Sequence, residues 1–110
     1  VATEIDSKTG IARVTLNRAN KLNSLDMAMF ESIAETAASL GEDQSLRAVI
    51  LSGAGRAFCT GLDVKSVATK GNPFQSIEKL LERPSPYGDD DASNLAQDVG
   101  YLWRKLPVPV

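Results

Sequence analysis

Hydrophobic and polar residues alternate in the segment IARVTLN, residues 11–17. Ala12, Val14 and Leu16 fall on one side and polar residues on the other, which is the period of a half-buried strand. The segment ATEID precedes it, and Gly10 in the connecting SKTG can adopt the positive φ of a tight turn. The start of the chain therefore predicts a β-hairpin.

After the polar, asparagine-rich loop NRANKLNSL, the spacing between hydrophobic residues changes to three and four positions. This period predicts a helix over residues 26–40, with charged and hydroxyl side chains on its wet face and Gly41 as its C-terminal stop. The residues expected on its buried face are Met27, Phe30, Ile33, Ala34, Ala37 and Leu40.

A second type of strand is predicted over residues 46–52, LRAVILS. Its centre is apolar without alternation, which is typical of a strand covered on both faces in a parallel sheet. Strand, helix and strand in that order imply a right-handed crossover. The predicted fold class is therefore α/β.

The second half of the chain is less regular. Residues 69–93 contain the runs KGNP and ERPSPYG and an acidic triplet at 89–91, and we expect a mobile or partner-ordered excursion around a short helix at 74–82. A last helix is predicted over 92–105, with Leu95, Val99, Leu102 and Leu106 on one stripe. Because proline favours extended backbone before it, the ending KLPVPV predicts the opening of a strand in a longer protein.

Composition narrows the function classes. The 110 residues predict at most one domain, and 43% apolar residues are typical of a globular protein. The net charge of −2 disfavours a nucleic-acid-binding protein. No apolar run is long enough for a transmembrane helix. One cysteine and no histidine exclude an internal disulfide, a zinc site or a Ser-His-Asp triad within this chain, and favour a reducing compartment, either the cytoplasm or a mitochondrial or peroxisomal matrix.

The candidate chemistry lies in GAGRAFCTGLDVKS, residues 53–66, where Asp63 could cap a new helix. Glycines between a strand and a helix N-terminus leave backbone N–H groups free to bind a phosphate or to stabilise an oxyanion. The spacing of these glycines matches neither the P-loop nor the dinucleotide-binding fingerprint. Spacing alone leaves a glycine-rich turn without any ligand equally open.

The stretch GRAFCTGLDV resembles the signature of the crotonase family, the enoyl-CoA hydratase/isomerase superfamily, and VTLNRANKLNSLDMAMF is similar to the family's first motif. The resemblance covers residues 11–65 and implies the N-terminal portion of one crotonase-like domain, a spiral of β-β-α turns, with residues 1–110 as part of it. It also implies assembly into trimers or hexamers, and a CoA thioester as substrate with no metal or bound cofactor.

The resemblance assigns roles to individual residues. In the family, the backbone N–H that follows the motif's last glycine is one of two donors to the thioester oxygen, and here it belongs to Leu62, with Gly61 letting the thioester approach. Asp63 is expected to hold the turn rather than react, and Cys59 to be a small buried residue. The implied CoA groove comprises Lys21, Leu22, Ala57, Thr60, Gly61, Leu62, Asp63, Val64 and Lys65, and the candidates for the CoA phosphates are Lys65, Arg18 and Arg56.

The resemblance implies that the second oxyanion donor and the acid–base carboxylates would come from sequence after residue 110, so the reaction type stays open. The leading interpretation is part of an acyl-CoA hydratase or isomerase of fatty acid metabolism, inactive as a fragment. The alternatives are the 3-hydroxyacyl-CoA hydrolase branch, a non-catalytic acyl-CoA-binding or assembly module, and a plain α/β interaction domain whose partner surface is the acidic triplet.

Overall fold

The computed structural model describes residues 1–67, 73–87 and 93–110, so the acidic triplet and the flanks of the predicted excursion lie outside the described residues. No helix in these ranges is long and apolar enough to cross a membrane. The strands are β1 (Ala2–Asp6), β2 (Ile11–Leu16) and β3 (Ala48–Gly53), and a short 3₁₀ turn spans Ala19–Lys21. The helices are α1 (Met27–Glu42), α2 (Val64–Val67), α3 (Pro73–Glu82) and α4 (Leu95–Lys105).

The three strands form one sheet in the order β1-β2-β3. β1 and β2 are antiparallel, and β2 and β3 are parallel, which confirms the hairpin and the α/β class. The hairpin closes where the N–H of Gly10 donates to the carbonyl of Asp6 at 2.8 Å, with Gly10 at φ +71° as expected.

The core lies between one face of this sheet and α1 and α4. Ala12, Val14 and Leu16 are at most 2% exposed, so the alternation along β2 is confirmed. Five of the six residues expected inside α1 are buried, but Met27 is only half-buried and Met29 is buried instead. Met27 is the first residue of the helix, and its partly buried side chain packs against the core from outside it.

The predicted stop of α1 at Gly41 is wrong, because the helix continues through Gly41 to Glu42. The residue that ends it is Asp43. One carboxylate oxygen of Asp43 accepts hydrogen bonds from the N–H of Ser45 at 2.8 Å and from its hydroxyl at 2.6 Å. This side-chain turn offers the backbone an alternative to a further helical turn. At the other end Asp26 caps the helix by accepting from the N–H of Met29.

β3 differs from its prediction in two ways. It begins at Ala48 rather than Leu46, because the N–H of Leu46 is held in a turn by the carbonyl of Asp43 at 3.2 Å. It is also covered on one face only within the described residues, since Val49 is 4% exposed and Ile50 is 43% exposed. The N–H of Val49 donates to the carbonyl of Pro109 at 2.9 Å, which places the predicted extended C-terminal segment beside β3.

Helix α3 confirms the helix predicted over 74–82, whereas α4 begins at Leu95 rather than at residue 92. Its start is fixed by a capping box in which Asn94 and Gln97 each bond the other's backbone N–H. The predicted stripe is confirmed at Leu95 and Leu102, which are buried, while Val99 and Leu106 are half-buried.

Candidate functional site

The site forms where the loop before α1 (residues 17–26) meets the glycine-rich loop after β3 (residues 54–63). The N–H of Leu25 donates to the carbonyl of Gly61 at 2.8 Å, and the N–H of Asp63 donates to the carbonyl of Leu25 at 2.9 Å. These bonds make an isolated parallel bridge between Leu25 and Leu62. The two sequence stretches that carried the resemblance are therefore in direct contact.

Within residues 1–67, 73–87 and 93–110, the N–H of Leu62 is the group of this bridge that has no hydrogen-bond partner. It belongs to the same planar trans peptide as the carbonyl of Gly61, in which carbonyl and N–H point in opposite directions. Because that carbonyl is bonded to Leu25, the N–H of Leu62 points away from Leu25. It donates to no acceptor within the described ranges, whereas the N–H groups of Gly61, Asp63 and Val64 are all hydrogen-bonded.

Two glycines shape the loop around this N–H. Gly61 has φ +87°, and a Cβ placed on it would meet no heavy atom within 4 Å, so the space beside the peptide is open. A Cβ on Gly53 would lie 2.5 Å from the carbonyl oxygen of Phe58 and 2.6 Å from that of Ala57. The loop can fold back over the end of β3 only because position 53 carries no side chain.

Asn23 fastens the glycine-rich loop to the loop before α1. Its side chain is fully buried, and its Nδ2 donates to the carbonyls of Ala54 at 3.0 Å and Ala57 at 2.8 Å. Its Oδ1 accepts from the N–H of Arg18 at 2.8 Å. Asn23 lies within the motif VTLNRANKLNSLDMAMF, but no local signal in the sequence indicates this role.

Arg18 connects the same two loops through its side chain. Its Nη1 donates to the carbonyl of Ser24 at 2.9 Å, to the hydroxyl of Ser24 at 3.0 Å and to Oδ2 of Asp63 at 2.9 Å. Its Nη2 lies 3.3 Å from Oδ2 of Asp26. The charge of Arg18 is thus already paired with two carboxylates, which disfavours its contact with the CoA phosphates, and that contact stays a prediction.

Asp63 caps α2. Its Oδ1 accepts from the N–H of Ser66 at 3.2 Å, and its Oδ2 accepts from the hydroxyl of Ser66 at 2.8 Å. The hydrogen bond from this hydroxyl, followed by that from Arg18, lowers the pKa of Asp63 from 3.8 to about 2. Such a carboxyl stays ionised at neutral pH and is a weak base, so the structure confirms that Asp63 holds the turn.

An apolar pocket of about 120 Å³ adjoins the bridge, since Leu25 belongs to both. This pocket has no local sequence signal, because its walls come from the sheet, both loops and two helices. The lining residues are Leu16, Leu25, Ile33, Leu51, Phe58, Cys59, Val99 and Trp103.

A family model described as enoyl-CoA hydratase/isomerase matches residues 11–83. The chain belongs to this family. A crystal structure of an enoyl-CoA hydratase from Mycobacterium smegmatis aligns with 99% of this chain and 37% of that chain, at a TM-score of 0.79 and 32% identity. The crotonase-like fold predicted from the two motifs is therefore confirmed.

Curated relatives differ in the reactions that their names give. A probable enoyl-CoA hydratase of Mycobacterium tuberculosis (strain ATCC 25618 / H37Rv) is 43% identical over 100 residues, which cover 91% of this chain and 33% of that protein. The 3-hydroxyisobutyryl-CoA hydrolase 1 of Arabidopsis thaliana is 40% identical over 63 residues, covering 57% and 17%. The chain thus spans at most about a third of the length of these relatives.

The residues implied for the CoA groove of this family are brought together only in part. The hydroxyl of Thr60 donates to the carbonyl of Leu22 at 3.3 Å, so these two predicted positions are adjacent. Val64 is half exposed on α2. Cys59 is half-buried rather than buried, and its sulfur accepts from the N–H of Gly61 at 3.4 Å.

Arg56 and Lys65, which were candidates for the CoA phosphates, and the groove residue Lys21 are exposed. Their side chains make no hydrogen bond or ion pair with the described residues. Their contact with CoA stays a prediction.

Proposed function

We propose that the full-length protein is an acyl-CoA-processing enzyme of the hydratase or isomerase type, in which the N–H of Leu62 stabilises the thioester oxygen. The observation that carries this proposal is that this N–H is fixed in direction by the Leu25–Leu62 bridge and has no acceptor among the described residues. The open space beside Gly61 supports it, because a thioester needs close approach to the backbone.

The chemistry follows from where charge develops. Removing a proton next to a thioester, or adding water to a conjugated one, places negative charge on the carbonyl oxygen. An N–H that is oriented before the reaction stabilises this enolate more than the neutral carbonyl, and losing one such donor typically costs about 3–4 kcal/mol of barrier. The bond from Leu25 to the carbonyl of the same peptide polarises the Leu62 N–H further.

We place the acyl group in the apolar pocket beside the bridge. Its walls are predominantly apolar, so they would bury hydrocarbon next to the reacting carbonyl. The pantetheine would then pass along Leu22 and Thr60, which already lie in contact. Assembly into trimers or hexamers, and a cytoplasmic or organellar matrix location, stay predictions.

A hydrolase is the second candidate, favoured by the match to the Arabidopsis hydrolase. The same N–H can stabilise the tetrahedral oxyanion of thioester hydrolysis as well as an enolate. Product analysis separates the two, because hydration consumes a conjugated double bond while hydrolysis releases the CoA thiol. Thermal stabilisation by acyl-CoA without hydration, double-bond isomerisation or release of the CoA thiol would favour the non-catalytic binding module instead.

The decisive experiment replaces Leu62 with proline, which removes the N–H, in the full-length protein. We expect kcat to fall by about 10²- to 10³-fold while circular dichroism and the melting temperature show a folded protein. Leu62→Ala is the matched control, because it trims the side chain and retains the N–H. Unchanged kcat in a folded Leu62→Pro variant contradicts the proposal.

A further inference from the structure

The guanidinium of Arg18 touches the Leu25–Leu62 bridge on both sides. Its contacts with Ser24 and Asp26 are with the two residues that flank Leu25. Its contact with Asp63 is with the residue that follows Leu62. One side chain therefore ties together the neighbours of both halves of the bridge.

We infer that Arg18 is a positioning residue, which holds the Leu62 N–H in the direction that the proposed oxyanion contact requires. This inference rests on the proposed function. The bridge is isolated and consists of two hydrogen bonds, and the peptide in question follows Gly61, whose backbone is the least restricted of any residue. A peptide that could rotate would lose the direction of its N–H, so a further constraint has a catalytic consequence.

The contacts of Arg18 are suited to such a constraint. The side chains of Arg18, Asp63 and Asp26 are 21%, 14% and 27% exposed, so the cluster is largely withdrawn from water. Arg18 presents a rigid planar fork, and three of its hydrogen bonds end on Ser24 and Asp63. Since Asp63 also caps α2, the constraint extends from the loop before α1 to the start of that helix.

Charge gives Arg18 a second effect on the same peptide. The ionised carboxylate of Asp63 directly follows Leu62, and a negative charge there opposes the build-up of negative charge on a bound thioester oxygen. The guanidinium lies 2.9 Å from that carboxylate and offsets its charge. Removing Arg18 would therefore both loosen the peptide and expose the oxyanion to an unpaired carboxylate.

Arg18→Met in the full-length protein tests this inference. We expect kcat for an enoyl-CoA substrate to fall by about 10- to 100-fold, with little change in KM or in the Kd of free CoA. Bound dienoyl-CoA supplies a spectroscopic readout, because hydrogen bonding to its carbonyl shifts its absorption to longer wavelength. We expect this shift to shrink in the variant.

Two further variants keep the test interpretable. Asp63→Asn preserves the cap on α2, because asparagine caps a helix as well as aspartate does, but it removes the ionic partner of Arg18. This variant also tests the inference if Arg18→Met does not fold. We expect it to lower kcat and the spectral shift by a smaller factor. Arg83→Met is the matched control, because Arg83 makes an exposed ion pair with Glu31 and should leave kcat unchanged.

The outcomes separate this inference from the proposed function. If Leu62→Pro abolishes turnover while Arg18→Met and Asp63→Asn retain kcat and the spectral shift, the positioning role is wrong and the proposed function stands. A loss of free-CoA affinity in Arg18→Met as large as the loss in kcat/KM would also overturn positioning, because it indicates direct contact with CoA. If Leu62→Pro retains kcat, both proposals fail.

Discussion

Two glycine-containing turns of the same chain differ in how far along the sequence their hydrogen-bond partners lie. In the hairpin turn between β1 and β2, the N–H of Gly10 and those of Lys8 and Thr9 all donate to Asp6, within four residues along the chain. In the glycine-rich loop the partners are distant. Asn23 reaches across 31 and 34 residues, and Arg18 reaches Asp63 across 45.

The difference separates a structural turn from a candidate site. The N–H groups of Lys8, Thr9 and Gly10 in the hairpin turn are satisfied locally, which is what stability alone requires, although the carbonyl of Gly10 also accepts from the N–H of Arg47 at 2.8 Å. The glycine-rich loop is held by contacts from elsewhere, and these contacts orient the N–H of Leu62 without using it. A backbone donor that is fixed by distant partners and left unpaired is the feature that supports binding chemistry.

The largest stability effect is expected from Asn23→Ala. The change leaves two loop carbonyls and the N–H of Arg18 without their partner inside a buried cluster, so we expect the free energy of unfolding to fall by about 2–4 kcal/mol. Urea unfolding of the full-length protein measures it. Asn20→Ala, an exposed asparagine of the same loop, is the control and should lie within about 0.5 kcal/mol of wild type. Equal stability of the two variants would contradict the long-range role of Asn23.

Alanine in place of each turn's glycine contrasts the two directly. At Gly10 a Cβ would lie 2.8 Å from the carbonyl oxygen of Ser45, at φ +71°, and we expect a loss of about 2 kcal/mol in stability with unchanged kcat. At Gly61 the space is open, so the loss should be about 1 kcal/mol from φ alone, while kcat/KM for acyl-CoA falls. An unchanged kcat/KM in Gly61→Ala would contradict the assignment of a functional role to the turn at Gly61 and a structural role to the turn at Gly10.

Features with local signals could be predicted from the sequence. The alternation along β2, the periodicity of α1 and the cap at Asp63 are each set by residues within a few positions of one another, and the structure confirms them. The errors at the ends of elements are also local. Asp43 rather than Gly41 ends α1, because a side-chain turn outcompeted a glycine that the helix could accommodate.

Features that depend on distant partners could not be predicted in this way. Nothing near Arg18 in the sequence indicates that its charge is paired with Asp63, so an ordinary surface cation and a phosphate ligand were the readily available interpretations. The burial of Asn23 and the apolar pocket likewise arise only when the two loops meet. The motifs indicated where the site lies, and the long-range bonds show how it is held.

A smaller effect is expected from Lys21→Ala, which removes an exposed cation beside the glycine-rich loop. If Lys21 contacts CoA, the Kd of CoA should rise by about 2- to 5-fold in this variant while kcat stays nearly unchanged. A change of this size is typical of an exposed ion pair. Isothermal titration with free CoA measures this. Lys8→Ala, an exposed lysine in the hairpin turn, is the control on the opposite turn. Identical affinities of Lys21→Ala and wild type for CoA would contradict the prediction that Lys21 contacts CoA.

The smallest effect appears only in acid and compares the aspartates of the two turns. The pKa of Asp63 is about 2 in the folded chain against 3.8 for the ordinary group, so its ionised form stabilises the native state fully above about pH 4. This contribution is lost as the pH falls through 2, because native and unfolded states are then both protonated. Unfolding of wild type and Asp63→Asn at a series of pH values should give a stability difference that shrinks from about pH 4 downwards.

Asp6 provides the matched case for this titration. Hydrogen bonds from the N–H of Lys8, and then from Thr9, lower its pKa too, so Asp6→Asn should show a difference of the same sign. Arg13 makes the smallest contribution to the lowered pKa of Asp6, through its charge alone, and forms no ion pair with Asp6 within the described residues, so we expect a shallower pH dependence than for Asp63. If the stability differences for the two aspartates had equal slopes against pH, Arg18 would stabilise the native state no more than the local hydrogen bonds of a turn do. The two turns would then not differ in their electrostatics.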